Sequence, residues 1–173
     1  DAEYKGIWHM NQASGTIIES TANHHDGTVS SMLYQAAGKI GYGIEDDGTG
    51  YVDFGDQDDY ETQSITYEVW SVHDNSAQDL DGGLAKGRIF GAGSTFSVQL
   101  NWHLGVTTFQ CEFTDGSENY YQDFNTDLTT WNYFVGTHDD YTDTTSLFIN
   151  GDLKGSQTKA GKTIDYGQSQ NNF

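Results

Sequence analysis

Apolar and polar residues alternate with a period of two along much of this chain, and convincing helical periodicity is almost absent. The run Phe109-Gln110-Cys111-Glu112-Phe113 is representative, with Phe109, Cys111 and Phe113 on one face of an extended strand. The pattern predicts strands over 4–10, 27–33, 50–54, 64–72, 83–91, 95–102, 106–114, 131–138, 145–150 and 152–157, separated by Gly-, Asn- and Asp-rich turns. Asn150-Gly151 is the sharpest hairpin signal, because Asn and Gly tolerate the left-handed backbone of a type I′ turn. Short strands at this spacing, without helices, predict an all-β fold: a two-sheet antiparallel β-sandwich or jelly roll. Trp8, Val69, Phe134, Phe148 and the neighbours of Ile149 are expected in its core, and Trp70 and Trp131 also sit at core-like phase. The sequence shows no internal repeat, linker or tail, and is read as a single module over 1–173.

Composition sharpens this picture. The chain has 173 residues, 21 Gly and no Pro, and its 14% aromatic content supplies enough apolar area for a core. Its formal net charge of −19 repels phosphate backbones and anionic membrane surfaces, which excludes nucleic acid as a partner and favours divalent cations. The single cysteine, Cys111, excludes an internal disulfide framework and a multi-cysteine zinc site, and is expected to be a small buried hydrophobe. No apolar run reaches the length of a membrane helix, so no membrane insertion is expected. A chain starting at Asp1 rather than Met is expected to be processed or excised from a larger protein.

Catalytic chemistry is poorly represented. A retaining glycosidase needs two carboxylates about 5–5.5 Å apart, yet the strand over 64–72 offers only Glu68. A polysaccharide lyase needs an arginine against a uronate, and Arg88, the only arginine, lies in an apolar stretch. Nucleophile elbows, phosphate loops and cysteine–histidine pairs are missing, so a non-enzymatic role is expected. His24-His25-Asp26 reads either as a transition-metal cluster or as part of a Gly-closed polar turn; adjacent side chains diverge, which favours the turn. Calcium fits the oxygen-rich segments better than zinc does. The candidate ligands are Glu19, Asp26, Asp46, Asp47 and Asp53, with Glu45 beside them and Asp139 to Asp143 as a further acidic segment. Aromatic rings beside amides and carboxylates suit sugars, and the candidates are Trp102 and His103 at a strand end and Tyr120 and Tyr121 in a loop after Asp115.

These segments together are similar to laminin-G-like, concanavalin A-like domains of bacterial, archaeal and phage surface proteins. GIWHMNQASGT (6–16) with ESTANHHDGTV (19–29) resembles the family's opening strand and polar loop. GKIGYGIEDDGTGYVDFGD (38–56), SITYEVWSV (64–72), TTWNYFVGTHDD (129–140) and LFINGDLKGS (147–156) follow in family order. The loop over 19–27 departs from the family's usual Asp-, Gly- and Asn-rich pattern. The family also continues into a final strand that this chain lacks, so it is expected to be a fragment or to have its sheet edge completed by a partner chain. The resemblance implies an extracellular, cell-surface or virion-surface recognition module binding a glycan or a surface protein, with calcium as a possible cofactor. The alternative is a structural or assembly subunit of a surface layer, filament or virion. A sandwich glycosidase or lyase fragment ranks third.

Overall fold

The computed structural model describes residues 4–55, 57–73, 82–87, 96–103, 106–124 and 126–166. It is almost entirely antiparallel β: β1 (Thr28–Ala37), β2 (Tyr42–Asp53), β3 (Ile65–Ser71), β4 (Gly82–Gly87), β5 (Phe96–His103), β6 (Val106–Glu112), β7 (Glu118–Asp123), β8 (Asn132–Asp139), β9 (Thr144–Ile149) and β10 (Asp152–Thr158). A 3₁₀ turn spans Asp58–Tyr60. The described residues divide into two compact units, one ending at Glu61 and one beginning at Thr62. No helix among the described residues is long and apolar enough to cross a membrane.

The larger unit is a β-sandwich. One sheet has the order β10-β9-β8-β3 and the other β4-β5-β6-β7. Strict alternation on each strand sends one set of side chains between the sheets. From the first sheet come Phe134, Leu147 and Ile149, and from the second Val98, Leu100, Phe109 and Cys111, all buried. Phe113 and Ile164 close one end through an isolated bridge. A Cβ on Gly136 would lie 2.0 Å from the Phe109 ring, so this glycine lets β8 approach the aromatic across the sandwich. Cys111 is the buried hydrophobe expected, and burial pushes its thiol up to about 12 despite a hydrogen bond with Thr145.

The hairpin at Asn150-Gly151 is present as read. Asn150 has φ 55° and Gly151 φ 87°, the signs of a type I′ turn. Asn150 is also tied to β8: its Oδ1 accepts the Tyr133 N–H at 2.9 Å and its Nδ2 donates to Asn132 Oδ1 at 2.9 Å.

The smaller unit pairs β1 with β2, with register shifts near Ser31 and Gln35, both at positive φ. Its apolar cluster gathers Trp8 against Phe54, with ring centroids 4.1 Å apart, and Tyr60 at the edge of Trp8. Trp8 Nε1 donates to the His25 carbonyl at 2.9 Å, which closes the polar loop over the cluster.

Four expectations need correction. Residues 4–10 form only an isolated bridge, Trp8 to Glu19, rather than a strand. Residues 118–123 form β7 instead of a loop: Asn119 and Tyr121 point inward, and an inward asparagine conceals the alternation. The acidic segment 42–49 is strand, part of β2, because it pairs with β1. Trp70 and Phe148, expected in the core, lie on the outer face of their sheet, whereas Val69 and Phe134 do pack inward. Arg88 lies outside the described residues.

Candidate functional site

On the β4-β5-β6-β7 sheet the positions between core residues carry amides and hydroxyls. Cross-strand register aligns Gln99, Gln110 and Tyr120 in one row and Asn101, Thr108 and Gln122 in the next. Gln99 Nε2 donates to Gln110 Oε1 at 3.4 Å, and Gln122 Nε2 donates to Thr108 Oγ1 at 3.1 Å. Tyr120 is exposed on β7, the end strand of this sheet among the described residues, and its N–H donates to Gln157 Oε1 at 3.3 Å.

Of the four sugar-site candidates, the two tyrosines are separated by the sheet. Tyr121 faces the opposite way from Tyr120 and packs against the core, where a Cβ on Gly155 would lie 2.1 Å from its ring. Trp102 and His103 end β5, opposite Thr107 and Val106, and their side chains lie outside the described residues. Trp102 is thus three residue steps along the sheet from the row of Tyr120, about 10 Å.

The opposite sheet, β10-β9-β8-β3, is apolar on its outer side too. Trp70 pairs with Tyr133 across the strands, and their rings stack with centroids 5.1 Å apart and planes 25° from parallel. The Tyr133 hydroxyl donates to the exposed carboxylate of Glu68, two residues before Trp70. The next row aligns Glu68, Val135, Phe148 and Leu153. The one beyond it aligns the hydroxyl residues Thr66, Thr137, Ser146 and Ser156. Sequence reasoning missed this platform because β3 is apolar at both phases: Ile65, Tyr67 and Val69 inward, Trp70 outward. Counting phase from Val69 identifies it.

The acidic candidates are also placed apart. Glu19 is buried, and its Oε1 accepts N–H groups of Ile7 (2.9 Å) and Thr21 (2.6 Å). Its Oε2 accepts the Thr21 hydroxyl (2.7 Å) and the His24 N–H (2.9 Å). Burial alone raises its pKa, but these bonds outweigh it and hold the carboxyl below its usual range. Asp26 Oδ1 in turn accepts the Glu19 N–H at 2.9 Å. Donors on every side make this pocket complementary to a carboxylate and unsuited to a cation. Asp46 and Asp53 each accept a backbone N–H, from Gly50 and Gly55. Their cross-strand partners, Met32 and Thr28, are four residues apart, about 13 Å, too far for one ion. Asp47 is on β2, with its side chain outside the described residues. Among the described residues no group of three or more His, Cys, Asp or Glu is placed to hold a metal. His24 lies in the loop as a turn residue, at φ 56°, and His25 contacts Asp59 at 3.3 Å.

Comparison with known proteins adds a family. A laminin-G model described as the concanavalin A-like lectin/glucanases superfamily matches residues 46–173. No curated protein matches the sequence. Among solved structures, the binding domain of Paraclostridial Mosquitocidal Protein 1 is similar over 95% of this chain and 42% of its own, at 13% identity and TM-score 0.61. The binding domain of Botulinum Neurotoxin DC, in complex with SialylT, is similar over 96% of this chain and 42% of its own, at 13% identity and TM-score 0.58. The receptor binding domain of botulinum neurotoxin D is similar over 96% of this chain and 43% of its own, at 10% identity and TM-score 0.54. The chain therefore spans about two fifths of these structures, and at such identities the likeness is one of fold.

Proposed function

Because this chain belongs to the concanavalin A-like lectin/glucanases superfamily, we propose that it is a non-catalytic recognition module that binds carbohydrate at a cell or virion surface or outside the cell. The observation that carries this reading is the exposed Tyr120 beside the partly exposed Gln110 and Gln122, in rows shared with Asn101 and the buried Gln99 and Thr108. Side-chain amides donate and accept at once, which matches sugar hydroxyls, and the exposed Tyr120 ring supplies a flat apolar surface for a pyranose. The neighbours named as binding domains, one of them in complex with SialylT, support a binding role. A non-catalytic role is supported by Glu68, whose strand carries Thr66 and Trp70 where a second carboxylate is needed.

Glycan-array screening of the purified chain is the test. Specific binding to a defined glycan set, without release of reducing sugar, is the expected result. Hydrolysis would move the protein to the glucanase side of its superfamily, and a blank array would end the carbohydrate reading.

The assembly reading is favoured by one other observation. The β1–β2 hairpin exposes Leu33, Ile40, Tyr42 and Tyr51, at 60%, 88%, 57% and 57%. Light scattering across a concentration series separates the two: a monomer with glycan affinity supports the first, and ordered oligomers without it support the second.

A further inference from the structure

The apolar residues on the outer side of the β10-β9-β8-β3 sheet form a second surface, opposite the amide face. We infer that Trp70, Tyr133 and Glu68 form a stacking platform for a neutral, all-equatorial pyranose chain, an inference that rests on the carbohydrate reading above.

Three observations carry it. First, Trp70 is 46% exposed although it sits on a strand whose other apolar residues turn inward. An indole carried on a rigid strand with part of its ring at the surface is preorganised, so binding orders little that was loose before. Second, the indole's orientation is defined by Tyr133, stacked at 5.1 Å, and Tyr133 is in turn anchored through its hydroxyl to Glu68. Third, Glu68 is exposed, and a carboxylate has about four acceptor sites of which the tyrosine takes one. The remaining acceptors lie beside the ring, where they match hydroxyl groups of a sugar stacked on it.

The chemistry of the platform selects its ligand. A pyranose with equatorial hydroxyls presents axial C–H bonds on both faces, which is the apolar surface an indole accepts. Glu68, on a chain of net charge −19, disfavours uronates and sialylated sugars. The hydroxyl row of Thr66, Thr137 and Ser146 lies two steps beyond Glu68, so a chain crossing the face meets stacking first and hydrogen bonding next.

The test is titration calorimetry with cellohexaose and with an oligogalacturonate of the same length, on the wild-type chain and on Trp70→Ala, Trp70→Phe, Glu68→Gln, Tyr120→Ala and Tyr141→Ala. Cellohexaose should bind and the uronate should not. Trp70→Ala should weaken binding at least tenfold, Trp70→Phe should retain most of it, and Glu68→Gln should weaken it several-fold. The control Tyr141→Ala, at an exposed aromatic in the turn before β9, should bind like wild type, and all variants should melt within a few degrees of it. Loss of glycan binding in Tyr120→Ala with full binding in Trp70→Ala would overturn the platform and leave the carbohydrate reading standing. Preference for the uronate would overturn the ligand class. A wild type that binds no glycan, and whose self-association is lost in Trp70→Ala, would overturn both in favour of a protein contact.

Discussion

The two sides of the β10-β9-β8-β3 sheet are made by the same strands from similar residues, but they differ in what covers them. Inward, Phe134, Leu147 and Ile149 meet Phe109 and Val98 of the facing sheet and are buried. Outward, Trp70 and Leu153 stay exposed, with Tyr133, Val135 and Phe148 half-buried among them. Apolar character expresses a preference for burial; a facing layer decides whether it is met. The covered side contributes stability, and in the proposal above the open side serves recognition. The same contrast separates two glutamates. Glu19 is enclosed by four donors, while Glu68 is exposed on a sheet face.

The largest expected effect attacks the covered side directly. Leu147→Ala should lower stability by about 2–5 kcal/mol, as core truncations do, while Phe148→Ser, one residue later and facing out, should change it by roughly 0.5 kcal/mol. Urea denaturation of both variants measures the contrast, and equal losses would erase it.

Next comes the enclosed acid. Glu19→Gln puts an amide among donors and should cost about 1–3 kcal/mol, whereas Glu68→Gln should leave stability unchanged. The wild-type contribution of Glu19 has a defined pH window. Its folded pKa is lowered, so the stabilisation is complete above the ordinary glutamate range and is lost as pH falls through the depressed value. Melting curves from pH 6 to 3 should show the wild type losing stability and Glu19→Gln losing less.

A smaller effect sits on the covered side at His138. This imidazole is buried, its Nδ1 bonds Thr145 Oγ1 at 2.9 Å, and its Nε2 has no partner among the described residues. Burial lowers its pKa, opposed by the negative charges of Asp140, Asp143 and Asp139. The unfolded chain therefore takes up the proton first, and stability falls as pH drops below about 6.5. His138→Gln should flatten the profile between pH 7.5 and 5.5; an unchanged slope would locate the titration elsewhere.

The smallest shift concerns cations. With Glu19 enclosed by donors and Asp46 distant from Asp53, millimolar Ca²⁺ should raise the melting temperature no more than Mg²⁺ does. A calcium-specific rise would reveal a site built from other oxygens.

Legibility in the sequence followed how local each determinant is. The Asn150-Gly151 turn depends on two residues, and the buried Cys111 on one five-residue alternation, so both were readable. β7 was not, because Asn119 is buried only where its amide reaches the Gln157 carbonyl at 2.9 Å on another sheet. Trp70 and Phe148 misled for a related reason: on a strand that is apolar at both phases, the choice of inner side is made by distant strands. The acidic segment before Asp53 resembled an ion-binding loop in composition, and pairing with β1 drew it out into a strand. Tyr120 and Tyr121 were read together as one sugar-site candidate, and their separation to opposite faces follows from the strand they lie on.

The pairing of β3 with β8 has a consequence for how the protein comes into being. Its contacts run from Ile65 with His138 to Ser71 with Asn132, so β3 leaves the ribosome with its partner strand among the described residues dozens of positions away in sequence. Until β8 emerges, Trp70 and Tyr67 wait on an unpaired, aggregation-prone edge, and closing that long loop must precede the reward of the contacts. The β8–β9–β10 meander, joined by short turns, can form first and offer the template onto which β3 adds. Refolding should then be slow for a chain of this size, and a mispaired β3 is the natural starting point for aggregation.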